Sequence, residues 1–303
     1  MFRATKLSTF ILAMGWLLPM EAQTDTLFLT PVIHLDSVVI SEVADGFSVG
    51  EFIHLMEEDT GFYQAFRNLR TITYGSDALV RMFDDEGLTE ASYSNSAKQI
   101  LENHCRHLEF QQEHTTGNFF DKHGEAEYYT ARLFSHIFLY RDTVCSSGSV
   151  ETVNDPSGLE KRKEQLKVLM FQPGQPVEGI PFIKNELGVF EEDMTALYDY
   201  DMEAVEFRAR PCFKFTIEKK AEVSEKKVVL QSMETWFDRS TYQIVARNYH
   251  LKEDNFTYDF DVHMQVLLGQ REGKEVPVWI YYNGSWDVPG KKRETGSVQI
   301  TVR

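Results

Sequence analysis

The sequence has little positive charge and few cysteines. Its 303 residues include 31 Lys and Arg against 47 Asp and Glu, which gives a formal charge of −16. Because there is no basic surplus to collect phosphates, this balance argues against nucleic acid as a partner and against charge-driven docking on anionic lipid. Apolar residues make up 42% and aromatic residues 13% of the chain, which is enough for a packed core.

Several catalytic signatures are also missing. The sequence contains no P-loop, no H-E-x-x-H and no G-x-G-x-x-G pattern, which argues against common nucleotide-binding and zinc-protease sites. Acidic clusters such as Glu57–Asp59 offer pairs of carboxylates, but any acidic protein has many such pairs, so they are weak evidence for a glycosidase-like site. The balance favours a protein that is not an enzyme and has no cofactor. An exported hydrolase, metal-assisted or carboxylate-based, is kept as an alternative.

A short apolar run near the start of the sequence predicts export. Arg3 and Lys6 precede an apolar stretch at 7–18, and Ala22 provides a small residue before a polar segment. This layout is typical of a secretory signal peptide, with cleavage expected near Ala22. The run is shorter than the roughly 20 residues that span a bilayer, and no later run is longer. We therefore expect a periplasmic or secreted mature chain without a transmembrane span.

The three cysteines are Cys105, Cys145 and Cys212. In an oxidising compartment, one disulfide and one remaining thiol is the simplest arrangement. Cys212 lies in an alternating, strand-like segment, which suits a semi-buried and inert thiol. Cys105 and Cys145 are therefore the candidate disulfide, although connectivity stays open because sequence alone does not fix it.

The chain after the signal peptide divides into three parts. Residues 23–47 form an N-terminal extended segment, and 48–303 form a single α+β domain, with a helix/hairpin/helix part at 48–200 and a β-meander at 201–303. In the first part, Ser48 and Glu51 form a capping box, and apolar spacing predicts helices within 48–70, 97–112 and 157–171. A hairpin is predicted from 69–74 and 78–83 with its turn at 75–77, a turn at 84–87, and a strand pair around 128–140. The polar stretch 146–158 is predicted to be a loop.

From residue 204 onward the pattern has a period of two. Strands are predicted at 204–208, 212–219, 228–237, 242–251, 256–268, 276–282 and 298–302. Such alternation is typical of an antiparallel sheet with one buried and one solvated face. The apolar face needs a cover, and the predicted helices can provide it.

Two groups of side chains are candidate sites. His104, His107 and His123 lie near one another in sequence, and His104 and His107 would share one side of the predicted helix. Structural zinc sites use four His or Cys ligands with clearer spacing, so these histidines are kept only as an alternative metal site, against a polar segment that is rich in histidine. The second group consists of aromatic residues of the meander that line an apolar ligand cavity if the sheet is concave, or form an ordinary core if it is not: Trp236, Phe260, Trp279, Tyr281 and Trp286.

Four stretches of the sequence resemble a group of uncharacterised exported proteins of Gram-negative bacteria. They are 59–70, Thr235-Trp236-Phe237-Asp238, Tyr258-Asp259-Phe260-Asp261, and Tyr282-Asn283-Gly284-Ser285-Trp286 together with Lys292-Arg293-Glu294. The order of helix, hairpin, helices and long meander also resembles the half-barrel of LolA, a periplasmic carrier of lipoproteins. This resemblance implies a curved half-barrel-like sheet that is covered by helices and able to hold acyl chains.

The resulting functional hypothesis is a soluble exported envelope protein. We expect it to be a non-enzymatic binding or carrier module for an apolar or amphipathic ligand, such as a lipid or acyl chain, or for an envelope protein. A structural or adaptor protein of the outer envelope is a further alternative, beside the exported hydrolase.

Overall fold

The computed structural model describes residues 49–57, 59–145, 169–175, 188–254, 259–287 and 292–303, all within the compact unit His34–Arg303. Several predicted features lie outside these residues: the signal peptide, the extended segment 23–47, Ser48, the loop 146–158 and most of the helix at 157–171.

The helices of the described residues are short. They are α1 (Val49–Glu57), α2 (Gly61–Asn68) followed by a 3-10 turn (Leu69–Thr71), α3 (Tyr129–Phe134) continuing as a π-helical turn (Ser135–Leu139), helical residues 169–171, α4 (Glu192–Thr195) and a 3-10 turn (Glu225–Lys227). Within the ranges described, every helix is too short or too polar to traverse a bilayer.

Within the described ranges, eleven strands form one antiparallel sheet. They are β1 (Tyr74–Phe83), β2 (Thr89–Glu102), β3 (Cys105–Thr116), β4 (Val144–Cys145), β5 (Tyr198–Phe207), β6 (Arg210–Lys219), β7 (Leu230–Asp238), β8 (Ile244–Asp254), β9 (Asp259–Arg271), β10 (Lys274–Asp287) and β11 (Glu294–Val302). The spatial order is β4-β3-β2-β1-β11-β10-β9-β8-β7-β6-β5. The first and last of these eleven strands therefore pair in the interior of the sheet, which is curved and unclosed, with β4 and β5 at its edges.

The meander was predicted well, because its side chains alternate strictly. On β9, Phe260, Val262 and Met264 are buried on one face, while Asp261 and His263 point to the other. We call these the inner face and the outer face of the sheet. All seven predicted strands are present, and the α+β class with a long curved antiparallel meander covered by helices is confirmed.

The inner face and the helices share one apolar core. It runs from Tyr93 on β2 across to Tyr200 on β5, and it takes in α1, α2, α3 and the helical residues 169–171. Phe52 of α1 illustrates the packing: its ring centroid lies 5.6 Å from that of Phe213 and 5.3 Å from that of Phe237, both edge to face. The helices thus cover the sheet as expected.

The predictions for residues 69–140 were less successful. The predicted helix at 97–112 is wrong, because β2 and β3 occupy this region and turn at Asn103 and His104, which have φ angles of 51° and 63°. The strand pair predicted around 128–140 is wrong as well, since α3 and the π-helical turn lie there. The hairpin predicted at 69–83 is a single strand from Tyr74, and its supposed turn residue Ser76 is fully buried.

The cysteines behave as predicted. Cys105 and Cys145 form a disulfide that joins β3 to the edge strand β4. Cys212 is a free thiol buried on the outer face, and burial raises its pKa. A thiol with a raised pKa forms little thiolate, which agrees with an inert cysteine.

Candidate functional site

The five aromatic residues predicted to bind a ligand do not lie on one surface. Phe260 and Trp286 are on the inner face and are buried in the main core. Trp236, Trp279 and Tyr281 belong to the outer face, because their strands bury the alternate positions inward. A single cavity lined by all five residues is therefore incompatible with the sheet.

The inner-face pair is packed against neighbours. The indole Nε1 of Trp286 donates a hydrogen bond to the hydroxyl of Tyr282 at 2.6 Å. The Trp286 ring lies 4.9 Å from the rings of both Phe260 and Tyr129, measured between centroids. Tyr129 belongs to α3, so this tryptophan joins the helical cover to the sheet and is part of a filled core.

The outer-face aromatic residues form two separate contacts. Trp236 stacks on Phe207 with ring centroids 4.9 Å apart, next to Cys212 and Ala246. Trp279 and Tyr281 stack on each other at 6.1 Å and are only partly buried. Neither contact forms an enclosed pocket of the kind that holds an acyl chain.

The most unusual group on the inner face is a buried ion pair. Arg247 of β8 has 4% of its side chain exposed, and its Nη2 lies 3.1 Å from Oδ2 of Asp59, in the link between α1 and α2. Its Nε donates to Thr235 Oγ1 at 3.1 Å, and its guanidinium lies 4.4 Å from the ring centroid of Phe62. Burial lowers the pKa of Arg247, and the charge of Asp59 opposes that shift. We call this contact the Arg247–Asp59 joint.

The joint fixes the helical cover to the sheet. The other carboxylate oxygen of Asp59 accepts a hydrogen bond from the backbone N–H of Gly61 at 2.7 Å, at the start of α2. A buried charge is tolerated only while its partner is in place, because an isolated ion in an apolar interior is very costly. The position of α2 on the sheet therefore depends on this pair.

Tyrosine hydroxyls of the inner face make further polar contacts with the cover. Burial raises the pKa of each tyrosine well above its usual value, so the hydroxyls stay protonated and act as donors. The donors and their backbone carbonyl acceptors are Tyr74 to Ile137 at 3.0 Å, Tyr200 to Val189 at 2.7 Å, and Tyr249 to Met170.

Sequence reasoning missed Arg247, although a signal was present. Arg247 stands two residues before Tyr249 and four before Leu251, so period-two alternation places it with them on the buried face. An arginine at such a position calls for an acidic partner. Asp59 belongs to the stretch 59–70 that carried the family resemblance.

The histidines proposed as an alternative metal site are not brought together. His104 lies in the turn between β2 and β3, and His123 lies in the turn that follows Asp121. His107 lies on β3, where its Nε2 is 3.9 Å from Oε1 of Glu109. The helix that was expected to present His104 and His107 side by side is absent. Among the described residues, one group places three metal-binding side chains together, and it is a different one on the outer face: His250, Asp261 and His263.

Comparison with known proteins gives similarities of structure only. No family model matches the sequence, and no curated protein matches it. A DUF1329 family protein from Desulfovibrio piger aligns over 84% of this chain and 89% of its own, with 11% identity and a TM-score of 0.25. A putative outer membrane lipoprotein-sorting protein domain from Vibrio parahaemolyticus aligns over 84% and 88%, with 8% identity and a TM-score of 0.27.

A LolA superfamily protein from Nitrosomonas europaea aligns over 80% of this chain and 92% of its own, with 8% identity and a TM-score of 0.22. The LolA-like resemblance drawn from the sequence thus recurs among solved structures. Because all three TM-scores lie below 0.5, the fold class rests on the sheet topology described above.

Proposed function

We propose that the chain is a non-enzymatic binding or carrier module that takes an apolar or amphipathic ligand between its helical cover and the inner face of its sheet. The observation that supports this is the construction of the cover. A long apolar face is shielded by short helical segments rather than by a second sheet, and polar contacts attach those segments to it.

Ligand entry in this proposal requires the cover to move. The inner face is filled by the cover's own side chains, such as Phe52 of α1 and Phe62 of α2. Apolar surface exposed when the helices lift is stabilised by an acyl chain or a similar group, which replaces the lost burial. The ligand thus competes with α1 and α2 for the same surface.

The Arg247–Asp59 joint is the contact of the cover that opens at the lowest cost in free energy. When the helices lift, both charges regain water and the desolvation cost of the pair is recovered, so opening loses less free energy here than at an apolar contact.

We extend the proposal to location: the predicted signal peptide and the disulfide between Cys105 and Cys145 support an oxidising envelope compartment.

The experiment that tests the proposal neutralises the joint without leaving a lone charge. The double variant Arg247→Met with Asp59→Asn removes both charges and keeps side-chain volume. We expect it to bind the fluorescent apolar probe N-phenylnaphthylamine several-fold more weakly than the wild-type chain, because opening the neutral variant no longer returns two charges to water. Native mass spectrometry of both proteins, purified from a bacterial periplasm, would reveal a co-purified lipid that is lost on denaturation.

The matched control is an ion pair on the outer face. Lys214 Nζ lies 2.7 Å from Oε1 of Glu203, and the double variant Lys214→Met with Glu203→Gln removes two charges far from the cover. It should bind the probe like the wild type. The carrier function is contradicted if neither the wild type nor the joint variant binds the probe or a lipid while both remain folded by circular dichroism.

A further inference from the structure

The outer face of the meander holds a cluster of side chains that the proposed function does not use. His250 of β8 and His263 of β9 are direct cross-strand partners, and Lys252 and Asp261 form the next pair that faces outward. All four lie on the outer face because Tyr249 and Leu251 on β8, like the alternate residues of β9, are buried inward. The sheet register itself therefore brings two imidazoles and a carboxylate together.

Their geometry converges on one carboxylate oxygen. Nε2 of His250 lies 2.9 Å from Oδ1 of Asp261, and Nε2 of His263 lies 3.6 Å from the same atom. The two imidazole rings stack with centroids 3.9 Å apart and planes 15° apart. One ligand atom from each of the three residues lies within 4.8 Å of the other two.

We propose that His250, Asp261 and His263 bind a single divalent transition-metal ion of the zinc class. Zinc is bound at about 2.0–2.2 Å by histidine nitrogen and carboxylate oxygen, which places tetrahedral ligands about 3.3 Å apart. The two N–O separations of 2.9 and 3.6 Å lie on either side of that value. Small rotations of side chains on adjacent rigid strands are enough to complete the site.

The donor set determines the class of metal. Two imidazole nitrogens and one carboxylate suit borderline first-row ions rather than Ca²⁺ or Mg²⁺, which prefer an all-oxygen shell. Three protein ligands on an open surface leave a fourth position for water, since 60% of the His263 side chain is exposed.

Nearby charges oppose a cation only weakly. The ammonium of Lys252 lies 3.8 Å from Oδ2 of Asp261, which weakens cation binding, but its closer partner is Oε2 of Glu225 at 2.6 Å. That arrangement leaves Oδ1 of Asp261 facing the histidines. Asp254 and Asp259 at the same end of the β8–β9 pair are engaged by Lys226 at 2.7 Å and Arg293 at 3.5 Å, so they add little net charge. The expected affinity is micromolar.

The first test measures Zn²⁺ binding by the full chain without a polyhistidine tag, after the protein has been stripped with a chelator. We expect one Zn²⁺ per chain in competition with a chromophoric chelator, and a tetrahedral visible spectrum when Co²⁺ replaces it. His263→Ala, His250→Ala and Asp261→Asn should each weaken Zn²⁺ binding at least about 10-fold, the smaller end of what losing even an outer partner costs a metal site.

Two control variants make the result specific. His107→Ala removes a histidine on β3 outside the cluster and should leave Zn²⁺ binding unchanged, whereas Lys252→Met should strengthen it by removing the opposing charge. Zn²⁺ should also raise the Tm of the wild type but not of His263→Ala, because only a binding-competent folded state is stabilised. Equal affinity in His263→Ala and wild type, or a wild-type chain that takes up no Zn²⁺ at micromolar concentrations, would overturn the proposal.

Discussion

The two parts of the sheet, the meander β5–β11 and the wing β1–β4, are stabilised in different ways. The meander β5–β11 buries a largely apolar inner face, in which Arg247 and Glu253 are the buried charged residues. The wing β1–β4 places buried, hydrogen-bonded polar side chains among its apolar ones, including Asn95 and Gln99. Apolar burial is non-directional, whereas a buried polar group needs a specific partner. The meander therefore depends on packing, and the wing depends on particular hydrogen bonds.

Gln99 shows what the wing requires. Its Nε2 donates to the carbonyls of Leu69 and Ile72, both at 2.7 Å, and its Oε1 accepts a hydrogen bond from Tyr140 at 2.8 Å. The residue is fully buried, so water is not available to replace these partners. One amide thus connects β2 to the turn after α2 and to the chain that follows the π-helical turn.

The largest expected effect is in the meander, at Trp286. We expect Trp286→Ala to lower the free energy of unfolding by about 4 kcal/mol, because it leaves a large cavity between Tyr129 of α3 and Phe260 of β9. Urea denaturation followed by circular dichroism measures this loss. Trp279→Ala on the outer face is the matched control and should cost about 1 kcal/mol, the value of its stacking contact. If the two variants lose equal stability, the inner face is not the packed core described here.

The same contrast explains which parts of the fold could be predicted from the sequence. Along β9, large apolar residues alternate with polar ones, so hydrophobic period, burial and strand geometry all agree. Along β2 the inward positions include Asn95 and Gln99, and the outward positions include Ser94 and Ser96. At these positions both faces are polar, so the alternation of burial is only weakly reflected in hydrophobicity.

Prediction of the candidate sites was limited by the strand pairing, which the sequence does not show, rather than by the hydrophobic pattern. Phe260 and Trp286 could be assigned as buried aromatic residues, but which face Trp279 occupies depends on a β-bulge between Pro277 and Trp279 that shifts the register. The cluster of His250 and His263 depends on the strand register of a hairpin whose turn had to be placed to the residue. One residue of error would have put these histidines on opposite faces.

A smaller effect is expected in the wing, at Gln99. Gln99→Met keeps the side-chain volume but leaves two backbone carbonyls and the Tyr140 hydroxyl without this partner. Each buried polar group that loses its partner costs about 1–3 kcal/mol, and with partial relaxation we expect a total loss of about 3 kcal/mol. Urea denaturation measures it.

The control for Gln99 is the outer-face glutamine Gln265 of β9, which is exposed. Gln265→Met should change stability by no more than about 0.5 kcal/mol. A loss in Gln99→Met as small as that of the control would show that the wing, like the meander, depends mainly on packing.

The smallest expected effect tests whether turns in the two parts of the sheet are stabilised by the same contact, an aspartate that accepts hydrogen bonds within its own turn. In the wing, Oδ1 of Asp121 accepts hydrogen bonds from the backbone N–H groups of Glu125 and His123, and these bonds lower the pKa of Asp121. In the meander, the hydroxyl and backbone N–H of Ser240 lower the pKa of Asp238 in the same way. A carboxyl whose pKa is lower in the folded state than in the unfolded state stabilises the fold at neutral pH.

The sign of this effect decides the outcome for Asp121→Asn and Asp238→Asn. The stabilisation is complete above the unfolded-state pKa of about 4 and is lost as the pH falls through the lower folded-state pKa. Asparagine keeps the acceptor oxygen but has no charge, so each variant should be less stable than the wild type at pH 7 and equal to it in strong acid. Urea midpoints measured at descending pH follow this convergence. Asp238 should show the larger deficit, because Arg210 lies 3.7 Å from its second oxygen and adds a charge contact. A stability difference between variant and wild type that stays constant with pH would show that the amide disturbs the geometry of the turn instead. If this happens in one variant only, the meander and the wing differ in their turns as well as in their cores.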